Sequence, residues 1–176
     1  MSEPARPPNE PRRVRAMPCF QSILMPVSEA ERLVEPFRRA GDWSSTHGIP
    51  AHMTIAGPWP LSVCLPLQAL RELATAIHGT RYTLSSVGIL GDATCLFPED
   101  DDALLRWRAS ILEAVGVADE VDEAWQIHLT VCRASNEGTL ARVEGSVGKA
   151  LPLSCEVRGL LLAQMLSDSE VTVQPL

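Results

Sequence analysis

The chain has 176 residues, 45% hydrophobic and 21% charged, a soluble balance for one globular domain with a substantial core. The formal charge of −7 argues against a protein that tracks long nucleic acid on a basic surface. No apolar run approaches the roughly 20 residues of a bilayer-spanning helix, so no membrane partner is expected.

Residues 1–16 hold four prolines and four arginines without an apolar centre, and read as a flexible tail rather than a secretory signal. The tail carries a net +2, which leaves −9 for the body. An acidic body suits a small substrate better than a long duplex. From residue 17 to 176 one domain is expected. Cys19–Val27 is apolar and branched enough for a strand, followed by a helix over 28–41. Ser28 and Glu31 have capping-box spacing, Leu33, Val34, Phe37 and Ala40 share a face, and Gly41 suits the stop, with Pro36 as a possible kink. The run "HMTIA" from His52 alternates as a half-buried strand does, and "GPWP" is expected to end it. Pro66 opens a second helix through Leu67, Leu70, Leu73, Ala74 and Ile77, and "RYTLSSVGIL" is a further strand.

The order then restarts. "ATCLF" at Ala93 is a strand, and the acids Glu99–Asp102 suit the positive end of a helix carrying Leu104, Leu105, Ile111, Leu112 and Val115, closed by Gly116. "WQIHLTVCR" is a strand, "SNEGTLARVEGSVGKA" a glycine-weakened helix, and the remainder supplies strands. An offset of 76 residues lays His52 on His128 and Thr54 on Thr130. Two related lobes, about 19–90 and 93–166, are therefore expected around a pseudo-twofold axis.

Each lobe contributes one His-x-Thr strand. Alternate residues share a face, so His52 and Thr54 point together, as do His128 and Thr130, while Met53, Ile55, Leu129 and Val131 point into the core. With four histidines and nine threonines in the chain, about 0.2 such triplets are expected by chance, so a pair is not accidental at a level of roughly 2%. Across one cleft, two imidazoles can move protons near neutral pH and two hydroxyls can hold the oxygens of a phosphodiester. That chemistry needs neither a metal nor a cofactor. The alternative is that both histidines are structural and both threonines are merely good strand residues.

The paired "HMTI" and "HLTV" strands, in this repeated order, resemble the two-histidine phosphoesterase superfamily, nearest its 2'-5' RNA ligase and cyclic phosphodiesterase-like branch. The resemblance covers residues 19 to about 176. It implies an α+β, bilobal fold with two antiparallel sheets lining a central groove and helices outside. It also implies metal-independent hydrolysis of a 2',3'-cyclic phosphate or a 2'-5' phosphodiester of a small nucleotide or RNA end. His52 and His128 would be the acid and base, in an order left open, and Thr54 and Thr130 the phosphate-binding hydroxyls. A non-catalytic nucleotide-binding module and an enzyme for a non-nucleotide phosphodiester are the other readings.

Trp59, just past the first motif, is a candidate to wall the groove or stack on a base, as are Trp125 and Tyr82, against the common role of such aromatics in packing. His47 lacks companions for a metal site, His78 suits a helix end, and Arg81, Arg133 and Arg158 are undecided. "PEDDD" at Pro98 reads as a solvated helix start rather than a cation site. Five dispersed cysteines outside any CxxC pair suggest a reducing cytoplasm, and a monomer is expected.

Overall fold

Branched and aromatic residues make strand β1 over Phe20–Pro26, with Ile23 and Met25 fully buried, in a computed structural model that describes residues 19–117, 125–167 and 169–176. The expected tail over 1–16 lies outside the described residues. Helix α1 occupies Ser28–Gly41, as its spacing predicts, and runs unbroken through Pro36. Its capping box does not form. Ser28 is already helical, the cap position falls on Val27, and Glu31 instead accepts the backbone amide of Ala51 at 2.6 Å.

A single helical turn, α2 (Trp43–Thr46), leads to β2 (His52–Pro60). The strand does not stop at "GPWP". Gly57 at φ 97° lets the backbone pass through and continue to Pro60. Helix α3 (Leu67–Ile77), β3 (Arg81–Leu90) and β4 (Ala93–Pro98) follow the expected order. Helix α4 (Asp102–Val115) ends on Gly116 in the left-handed region, and Asp100 accepts the Asp102 amide at its start. Strand β5 is shorter than its alternation suggests, Leu129–Cys132, so Trp125–His128 approach it outside the ladder. Helix α5 (Glu137–Ser146), capped by the Asn136 side chain, a short turn of 3-10 helix (Gly148–Ala150), β6 (Leu153–Glu156), β7 (Leu161–Ser167) and β8 (Glu170–Pro175) complete the chain.

The strands form one antiparallel α+β sheet in the order β6-β3-β4-β5-β2-β1-β7-β8. It consists of two four-stranded halves joined at a narrow seam, where the register of β5 on β2 is the single pair Met53–Leu129. Each half mixes early and late strands, because β3 pairs with β4 and β6 while β7 pairs with β1 and β8.

One hydrophobic core joins apolar residues of α1, α3, α4 and α5 to Ile23, Met25, Met53, Ile55, Leu129, Val131 and Leu162 of the strands. These helices therefore cover one face of the sheet and leave the other open. A second, small cluster of Leu24, Ile49 and Ala163 lies on the open face under Trp43. Among the described residues, no helix is long and apolar enough to cross a membrane.

Candidate active site

Strand alternation and the seam register decide where the two motifs meet. Met53 and Leu129 are direct partners and fully buried on the helix-covered side. In an antiparallel pair this sets Thr130 opposite His52 and Thr54 opposite His128, all four on the open face. Extended by one residue, that register sets the histidines on one diagonal, a placement whose Cβ atoms in a regular ladder are somewhat under about 7–8 Å apart. All four are partly exposed.

The two imidazoles are held alike. Nδ1 of His52 donates to the carbonyl of Pro50 at 2.8 Å, and Nδ1 of His128 to the carbonyl of Gln126 at 2.7 Å. A carbonyl only accepts, so each bond fixes the proton on Nδ1 and leaves the lone pair of the neutral ring on Nε2. The approach segments are also pinned alike, each by a buried arginine acting three residues before the histidine. Arg38 of α1 donates to the Ile49 carbonyl at 3.0 Å, and the guanidinium of Arg108 of α4 lies 3.9 Å from the centre of the Trp125 ring. Arg108 also donates to the Ile55 carbonyl at 3.0 Å. There the β1–β2 register slips and leaves Ile55 as an extra residue, so its carbonyl needs a partner outside the ladder.

Burial pushes the His52 pKa down to about 4, with the positive charges of Arg38 and His128 acting in the same direction and the Pro50 bond and Asp42 opposing. At neutral pH His52 is therefore uncharged, with a free lone pair on Nε2.

The walls are apolar. Leu24 pairs with Thr54 on one side, and Cys95 pairs with Thr130 on the other. Burial raises the pKa of the Cys95 thiol to about 11, so it keeps its proton beside Thr130 at neutral pH. Phe97 lies over Gly88, where a Cβ would come within 3.1 Å of its ring, and its centroid is 6.3 Å from that of His128.

The motif spacing thus brings together His52, Thr54, His128 and Thr130. Trp59 is a correction: it is 5% exposed within the main core and offers no face for stacking. Tyr82 is buried in the same core, and Trp125 lies under Arg108. His47 bonds the Trp43 carbonyl and stacks on that ring, and His78 caps the end of α3. Arg81, Arg133 and Arg158 pair with Glu156, Asp92 and Glu29. The carboxylates of Asp100, Asp101 and Asp102 gather within 4.8 Å at the α4 start, away from the motif strands. Phe97, Cys95 and Arg38 were missed. Phe97 and Cys95 stand two apart in a strand, as alternation requires of one face, but only the β4–β5 register shows that this face holds the motif.

A model described as the 2'-5' RNA ligase superfamily matches residues 26–168. No curated protein matches the chain by sequence. Among solved structures, a phosphoesterase superposes with a TM-score of 0.53 at 16% identity, covering 90% of this chain and 96% of its own. LigT of E. coli complexed with 3'-AMP superposes with a TM-score of 0.50 at 15% identity, covering 91% of this chain and 96% of its own. With the family model spanning most of its length, the chain belongs to the 2'-5' RNA ligase superfamily of two-histidine phosphoesterases.

Proposed function

We propose that the protein is a metal-independent phosphodiesterase that opens a 2',3'-cyclic phosphate or cleaves a 2'-5' phosphodiester of a small nucleotide or RNA end. The observation that carries this reading is the four-residue array on the open face, with both Nε2 atoms available and the imidazoles on opposite corners. Displacement at phosphorus needs the attacking and leaving oxygens in line on opposite sides, and diagonal imidazoles suit that demand. His52, uncharged at neutral pH, takes the proton of an attacking water through Nε2. The new P–O bond forms as the bond to the ring or bridging oxygen breaks, and protonated His128 delivers its proton to that departing oxygen. The hydroxyls of Thr54 and Thr130 donate to the non-bridging oxygens, where charge accumulates.

Recognition follows from the walls. LigT carries 3'-AMP in one of its structures, and in this chain Phe97 lies beside His128 where a base could stack. Loss of base–aromatic stacking costs about 1–3 kcal/mol. Phe97→Ala should accordingly raise KM for 2',3'-cyclic nucleotides by roughly 5–100-fold while kcat changes little, measured by initial rates. An equal fall in kcat with unchanged KM would remove Phe97 from substrate binding.

The decisive screen offers 2',3'-cyclic nucleotides and 2'-5' dinucleotides with EDTA present. Turnover that survives EDTA and is abolished in His52→Ala supports the proposal. Affinity without turnover would make the protein a binding module. Turnover confined to non-nucleotide diesters would change the substrate class and leave the chemistry. Size-exclusion chromatography tests the monomer. The five free cysteines, three of them buried, fit a reducing cytoplasm.

A further inference from the structure

Two residues of α1 bracket the proline that orients His52. Arg38 is 1% exposed, and its Nη2 donates to the Ile49 carbonyl at 3.0 Å and to the Ser44 hydroxyl at 2.9 Å. Its Nε pairs with Asp42 at 3.0 Å, and its Nη1 stands 3.7 Å from Glu31. Glu31 in turn accepts the Ala51 amide at 2.6 Å. The backbone on either side of Pro50 is thus tied to the helix, and the Pro50 carbonyl between those ties accepts Nδ1–H of His52. Proline has no N–H of its own, so the segment is held through its neighbours.

We propose that Arg38 is a positioning residue for His52, locking the Ile49–Ala51 backbone so that the imidazole keeps its proton on Nδ1 and presents Nε2 to the open face. The inference rests on the acid–base role proposed for His52. Arg38 itself does not reach the substrate, because its guanidinium is enclosed by Asp42, Ser44 and the Ile49 carbonyl. A buried ion pair is weak evidence for stability, since apolar residues of similar volume often serve a fold as well. What an apolar residue cannot do is hold the Ile49 carbonyl in place. The second imidazole has a counterpart, Arg108 against Trp125, at the same offset.

The test reads the His52 ring directly in the free protein. With four histidines in the chain, single-histidine variants assign the imidazole 15N signals. The native protein is expected to show the Nδ1–H tautomer at His52. Arg38→Met should mix the two tautomers and raise the His52 pKa above about 4, because the positive charge of Arg38 is lost while Asp42 stays. With an active substrate, kcat should fall by roughly 10–100-fold, KM should stay within about 2-fold, and the acid limb of the pH profile should move up with the pKa. Arg38→Lys, which keeps the charge but loses the planar fork, should restore the pH limb more than kcat. Arg39→Met removes an exposed charge one residue along, paired with Glu35, and should match the native protein.

A folded Arg38→Met with native tautomer, pH limb and kcat overturns the proposal. If Arg38→Met does not fold, Arg38→Lys takes its place, since it keeps the buried charge beside Asp42 and loses the planar fork that holds the Ile49 carbonyl. A native tautomer and kcat there overturn the proposal equally. Activity that survives His52→Ala sinks the acid–base reading, whereas an inactive His52→Ala beside an unaffected Arg38→Met sinks the positioning role alone.

Discussion

Alanine at His52 or His128 is expected to lower kcat by about 10²–10⁴-fold, the usual contribution of a positioned proton-transfer group. KM should move little, because the proposed substrate contacts of Thr54, Thr130 and Phe97 are left in place. The two losses should not multiply in the double variant, since the proposed mechanism has both imidazoles act on one phosphorus in one step. The pH dependence of kcat/KM carries a sign fixed by the environment of His52. Above a pH of about 4 its Nε2 is free to accept a proton, so activity falls as pH drops through that region and the ring becomes charged. His52→Ala should erase the acid limb of any residual activity. A limb that persists unchanged in that variant assigns it to another group.

The largest loss of stability expected from a single added methyl group is at Gly57. Its φ of 97° is outside the range that other residues tolerate, and a Cβ there would meet the Gln21 carbonyl oxygen at 2.9 Å and the Ser22 Cα at 3.0 Å. Both neighbours belong to β1, which is buried and cannot retreat. Backbone strain of about 1–3 kcal/mol adds to the clash. Gly57→Ala should cost at least about 3 kcal/mol, or roughly 6–12 °C in Tm for a chain of this size. Gly48→Ala is the comparison, because its φ of 73° is also left-handed but nothing lies within 4 Å of the added carbon. It should show the strain without the clash. Equal Tm losses in the two variants would mean that contact with β1 contributes nothing.

Local chemistry was the legible part of this chain. Helix α1 over Ser28–Gly41 and strand β3 over Arg81–Leu90 fall where hydrophobic spacing puts them, α1 through Ala30 and Val34 and β3 through Tyr82 and Leu84, which enter the core. The His-x-Thr pairs were legible for the same reason: alternation needs only a strand. What failed needed a partner from elsewhere. Glu31 abandons the capping box for the Ala51 amide, twenty residues away. Strand β2 survives its "GPWP" because Gly57 bends against β1, and the slip that leaves Ile55 extra is absorbed by Arg108. Trp59 lies just past the motif along the chain, but the β1–β2 register slips twice between Thr54 and Trp59, which returns its ring to the core side shared with Met53. The diagonal setting of the imidazoles depends on one seam pair, Met53–Leu129, which no local pattern announces.

The strand exchange between the sheet's halves makes the chain topologically interlocked. β3 comes from the segment before Gly91 yet completes the half containing β4 and β5, while β7 comes from the segment after it and completes the half containing β1 and β2. Severed at the β3–β4 turn, neither fragment would own a full half-sheet, and each would expose the edge that the other fills. Such fragments should be unfolded alone and regain ordered structure only when mixed, by circular dichroism, and a fragment that folds by itself would contradict this. Ancestry by simple doubling of a self-sufficient unit would therefore have passed through a swapped dimer before the two copies shared one chain.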